Sequence, residues 1–79
     1  MPAQITVRYW AGARRAAGTA EESMSLNTIA ELRATLNARA GMDRLATVVS
    51  FLVDGQQAGE AVRLHDGAVV DVLPPFAGG

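Results

Sequence analysis

Hydrophobic and polar residues alternate at the start of the chain, where Ile5, Val7 and Tyr9 are separated by Thr6 and Arg8 after Gln4. A period of two sends successive side chains to opposite faces, so the pattern predicts a half-buried strand over residues 4–10. Residues 11–18 hold two glycines and the pair Arg14–Arg15, which suits a turn or a single helical turn. Residues 19–24 can return as a second strand, closing a hairpin with a long loop, with Glu21 and Glu22 diluting the alternation. The period then changes. Ile29, Leu32 and Leu36 follow at i, i+3 and i+7, one apolar helical stripe that Ala40 extends. Thr28 stands three residues before Glu31, the spacing of a capping box, and Gly41 is placed to end the helix in the left-handed conformation. Only one face of this helix is apolar, so it should lie across a sheet.

Residues 42–47 read as a connector in which Asp43 can cap a short turn. Over residues 48–53 the alternation points Val49, Phe51 and Val53 inward, with Ser50 and Leu52 outward. Asp54–Gly55 signals a tight turn. Residues 56–64 look irregular, with a short strand expected near Val62, and His65–Asp66–Gly67 marks another turn. In the last strand, residues 68–73, Val70 and Val72 point inward while Val69, Asp71 and Leu73 point outward. The order strand, strand, helix, strand, short strand, strand implies an α+β fold. A mixed sheet of four to five strands carries one main helix on one face, and the first and last strands meet through a right-handed crossover. This is the β-grasp arrangement, expected over residues 1–74, with residues 75–79 as an extended tail.

Composition narrows the chemistry. Seventy-nine residues make one small domain, and with only four aromatic residues its core must be aliphatic and rich in alanine. There is no cysteine, which excludes disulfides, thiolate nucleophiles and zinc knuckles. There is no lysine either: all seven basic side chains are arginine, against eight acids, for a net charge of −1. That balance gives no basic footprint for nucleic acid. The apolar runs are too short for a membrane span and no signal-peptide pattern is visible, so the cytoplasm is the expected compartment. A chain this small has little room for a deep pocket, which argues against a self-contained enzyme.

The most informative segment is the last. Pro74 and Pro75 directly follow a strand, and neither can donate a backbone hydrogen bond, so ladder pairing stops there and the chain is held extended. Phe76, Ala77, Gly78 and Gly79 come after them. Such a tail suits activation of a carboxylate as an acyl-adenylate inside an enclosing, water-excluding partner. Glycines pass a channel too narrow for other residues, proline stiffness lowers the ordering cost, and Phe76 can anchor the tail in an apolar pocket. The outward set Leu52, Leu73 and Phe76 should share the exposed sheet face near the tail, as an apolar patch for a protein partner. Other candidates have plainer readings. His65, the one histidine, offers no histidine-based metal site; it is expected as a solvated turn residue, and Asp54 and Asp66 as turn residues before glycine. Arg14 and Arg15 read as a solvated loop, and Trp10 as packing at the domain edge.

The chain resembles the MoaD/ThiS sulfur-carrier family of ubiquitin-like β-grasp domains, most of all its molybdopterin synthase small-subunit branch. The resemblance spans essentially the whole chain. It is carried by Val7 to Gly18 with Arg14 or Arg15 in the loop, Thr28–Ile29–Ala30–Glu31–Leu32, Val53–Asp54–Gly55, Leu64–His65–Asp66–Gly67, and Pro74 to Gly79. It implies a non-catalytic carrier subunit with no bound cofactor. An E1-like enzyme using ATP would adenylate Gly79, and sulfur from a sulfurtransferase would replace AMP to give a thiocarboxylate. Pro75, Phe76, Ala77 and Gly78 would form the inserting tail, and Leu52 and Leu73 the partner interface. In the molybdopterin branch the tail enters the synthase large subunit and donates sulfur to cyclic pyranopterin monophosphate. Carriers for thiamine or cysteine biosynthesis, and a ubiquitin-like modifier joined to lysines through Gly79, are the alternatives. The missing cysteine fits a carrier that holds transferable sulfur only on its terminal carbonyl.

Overall fold

The structure, a computed structural model, describes residues 1–75. Strands β1 (Ala3–Tyr9) and β2 (Glu21–Leu26) pair antiparallel from Ala3–Leu26 to Arg8–Glu21. Their connection holds the short helix α1 (Gly12–Ala17). Helices α2 (Ile29–Asn37) and α3 (Asp43–Ala46) lead to β3 (Ser50–Val53), β4 (Gln56–Ala58) and finally β5 (Val69–Leu73). The sheet order is β2-β1-β5-β3-β4. β5 runs parallel to β1, from Thr6–Val69 to Tyr9–Val72, and antiparallel to β3, from Ser50–Leu73 to Val53–Val70. This is the ubiquitin-like β-grasp expected from the pattern, with five strands.

Inward positions follow the alternation. Ile5, Val7, Tyr9, Phe51, Val70 and Val72 are buried beneath Ile29, Leu32 and Leu36 of α2. Each large side chain removed from water contributes roughly 1.5–3 kcal/mol. The helix start is the capping box: the Glu31 N–H donates to Thr28 Oγ1 at 3.2 Å, and Glu31 Oε1 accepts the Thr28 N–H at 3.2 Å. Arg33 ties α2 to the rest by donating to the Ala46 carbonyl at 2.6 Å and the Val49 carbonyl at 3.2 Å.

Four expectations are corrected. α2 ends at Asn37, with Ala38 as its C-cap, so Ala40 lies off the helix and Gly41 (φ 85°) serves the next turn. Long-range partners set this end: Arg39 donates both terminal nitrogens to Glu22, at 2.9 and 2.6 Å, and Met42 is drawn fully into the core. Asp43 opens α3 without a side-chain capping bond; the N-cap is Met42. The second strand lies two residues later than expected, with Glu22, Met24 and Leu26 half-buried on the inner side. The fourth strand forms at Gln56–Ala58, whereas near Val62 there is only the single Thr28–Arg63 bridge. Asp54 (φ 49°) and Gly55 (φ 85°) explain this, because two successive left-handed residues make the two-residue hairpin turn that returns the chain at once.

Candidate functional site

β5 lies between β1 and β3, so the last described residues leave the sheet from its middle. Pro74 is buried and Pro75 exposed. On the face away from α2, Asp71 pairs with Arg8 on one side and with Leu52 on the other; Leu52 in turn faces Gln57, and Leu73 faces Ser50. An open groove of about 610 Å³ runs over these positions. Trp10 and Ala11 wall it on the β1 side and Ser50, Leu52 and Gln57 on the other, with Leu73, Pro74 and Pro75 at the strand exit. The structure therefore brings Leu52, Leu73 and Pro75 together. Phe76, Ala77, Gly78 and Gly79 lie outside the described residues.

Two features of this sheet face were not foreseen. Trp10, 41% exposed, is a wall of the groove; it sits one step beyond the outward series Thr6, Arg8 and was legible by extending that period. Asp71 points outward as expected yet is buried. Its Oδ1 accepts the Arg8 Nε–H at 2.7 Å and the Trp10 indole N–H at 2.9 Å, and its Oδ2 accepts from Arg8 Nη2 at 3.2 Å. The hydrogen bond from Arg8 holds the Asp71 carboxyl below its ordinary range against the opposing effect of burial, with the Trp10 bond adding to the lowering. The Arg8 guanidinium lies 5.5 Å from the Trp10 ring centroid.

The remaining candidates stand where turn chemistry places them. Asp54 Oδ1 accepts the Val69 N–H at 3.0 Å, and Asp66 Oδ1 accepts the Gln4 N–H at 2.8 Å. Arg14 and Arg15 are exposed on α1. Among the described residues, no three His, Asp or Glu side chains are gathered as a metal site, and no helix is long and apolar enough to cross a membrane. The groove thus combines the side chains of Trp10, Leu52 and Leu73 with Pro74 and Pro75, next to the point where the described residues end.

Among curated proteins, none matches this sequence. Solved structures do. The HVO 2177 protein of Haloferax volcanii is 28% identical, with a TM-score of 0.80 over 98% of this chain and 87% of its own. A chain from the complex of subunits 1 and 2 of the molybdopterin-converting factor of Helicobacter pylori is 25% identical, with a TM-score of 0.76 over 96% of this chain and 99% of its own. The small archaeal modifier protein 1 of Methanosarcina acetivorans shares the fold, at 22% identity and a TM-score of 0.79 over 100% of this chain and 99% of its own. The sequence profile of the ThiS family matches residues 7–79, and the chain belongs to that family.

Proposed function

We propose that this chain is a sulfur carrier of molybdopterin biosynthesis whose reagent is the carboxylate of Gly79. The carboxylate attacks the α-phosphate of ATP on an E1-like enzyme, releasing pyrophosphate and leaving an acyl-adenylate. The persulfide of a sulfurtransferase then attacks the acyl carbon and expels AMP. A thiol cleaves the resulting acyl disulfide, ending as a disulfide itself and leaving a thiocarboxylate, which donates its sulfur to cyclic pyranopterin monophosphate. The chain itself binds no cofactor in this scheme, works in the cytoplasm and contributes no catalytic side chain. One observation carries the reading: the central strand β5 ends in Pro74–Pro75 beside the groove of Trp10, Leu52 and Leu73. The domain thus offers a partner the groove of Trp10, Leu52 and Leu73 next to Pro74 and Pro75, and Phe76, Ala77, Gly78 and Gly79 would serve as the tail that the partner takes up. The Helicobacter pylori relative in complex with subunit 2 supports a large-subunit partner.

The test is intact-mass measurement after incubation with the E1-like enzyme, ATP and a sulfur donor. Replacement of one carboxylate oxygen by sulfur adds about 16 Da. No gain in mass sinks the carrier reading, and covalent attachment to other chains replaces it with a protein modifier. Deleting Gly79 should leave folding intact and abolish loading. Sulfur transfer to cyclic pyranopterin monophosphate in the presence of the large subunit separates this branch from thiamine or cysteine carriers, which would share the tail and the loading step.

A further inference from the structure

Asp71 is the one charged side chain among the described residues that is buried, and it lies on the sheet face opposite the core. A carboxylate removed from water is costly unless its oxygens are paired, and an apolar side chain of similar size would pack beside Leu52 at lower cost. An apolar side chain, however, cannot accept an indole N–H. Asp71 does so while Arg8 neutralises it from the other side, and the Arg8 guanidinium also lies over the indole ring. The Trp10 backbone N–H reaches the Val72 carbonyl at 3.3 Å, so the backbone and side chain of Trp10 are tied to consecutive residues of β5. Ala11 follows at φ 50°, turning the chain away into α1 and fixing Trp10 at the end of its strand. A partly exposed indole held at this many points is preorganised.

We propose that Asp71, neutralised by Arg8, is a positioning residue: it sets the Trp10 indole as the groove wall beside the Leu73–Pro74 exit, so the E1-like enzyme meets a preformed surface. This role presupposes the sulfur-carrier function. Without the hydrogen bond Trp10 would have to be ordered during association, weakening engagement by up to about tenfold. The bond contributes nothing at the reacting carboxylate, so the effect belongs in KM and not in kcat.

The experiment measures pyrophosphate release by the E1-like enzyme of the same organism, with the full chain as varied substrate. Trp10 is the only tryptophan, so fluorescence anisotropy reads its indole alone. Asp71→Leu should stay folded by far-UV circular dichroism, lower the Trp10 anisotropy, and raise KM about five- to tenfold with kcat unchanged. Asp71→Asn, which keeps an acceptor oxygen, should recover part of that loss. In a Trp10→Phe background, which has no indole N–H, Asp71→Leu should change KM no further. Unchanged KM or unchanged anisotropy in Asp71→Leu overturns the proposal, as does a full additional effect in the Trp10→Phe background. Should Asp71→Leu not fold, Asp71→Asn and Trp10→Phe carry the same comparison: each must raise KM alone, and their double variant must match the worse single one. A wild-type chain that the enzyme fails to adenylate overturns the sulfur-carrier function and this role together. An adenylated wild type with indifferent variants overturns the role alone.

Discussion

His65 Nε2 lies 2.6 Å from Asp54 Oδ2, joining the turn that precedes β5 to the turn between β3 and β4. The hydrogen bond with Asp54, and then the one to the Asp66 carbonyl, raise the His65 pKa above its ordinary 6.5. Asp54 is lowered from 3.8, first by the Val69 N–H and then by His65. The contribution of His65 to stability is therefore complete below about pH 6.5 and disappears as pH rises through its folded value. That of Asp54 is complete above about pH 3.8 and disappears as pH falls through its own. In a proton NMR titration His65 should titrate above 6.5, and Asp54→Asn, which suits the left-handed turn, should bring it back toward that value. An identical titration in the variant would show that the carboxylate does not set it.

Tyr9 provides a second titration. Burial, and then the charge of Glu22, push its phenol up to about 12. Folding stability attached to this group is present below about pH 10 and falls as pH rises through 12, because only the unfolded chain readily loses the proton. Ultraviolet titration of this single tyrosine should show no ionisation near 10 while the chain is folded, and Glu22→Gln should lower the midpoint. A wild-type midpoint at 10 would mean that the phenol is open to solvent.

Thr28→Ala removes the acceptor for the Glu31 N–H and should cost about 1 kcal/mol. For a domain of this size that lowers the melting midpoint by roughly 4–8 °C. Urea denaturation should show a lower midpoint with an unchanged slope. No shift in midpoint would mean that Glu31, which also accepts the Asn27 N–H at 2.6 Å, holds the helix start without its partner.

Leu73→Glu places a carboxylate in the groove two residues from Asp71 on the same face. Partly exposed, it should cost the isolated domain about 1 kcal/mol or less. Binding of the large synthase subunit should fall tenfold or more, since the new charge would be buried without a partner. Calorimetric titration measures this directly, and unchanged affinity removes Leu73 from the interface.

What could be read from the residues alone was local or periodic. Thr28 and Glu31 announce a helix start within four positions, and the alternations in β1, β3 and β5 assign Val7, Phe51 and Val72 to the core and Leu52 and Leu73 to the opposite face. What escaped depended on distant partners. Gln56–Gln57–Ala58 has no apolar alternation and becomes a strand because the Asp54–Gly55 turn delivers it to β3. Asn37 ends α2 because Arg39 finds Glu22 and Met42 finds the core. The Trp10–Asp71 bond spans 61 residues and exists only in the parallel register of β1 and β5, which no local pattern encodes.

The position of β5 has a mechanical consequence. A partner that grips the last residues pulls along a strand flanked by β1 on one side and β3 on the other, so the load falls on both ladders in shear. Their hydrogen bonds then resist together, where a strand peeled from a sheet edge would lose them one at a time. Tension applied to the end of the chain is thereby received by the part of the domain best suited to bear it.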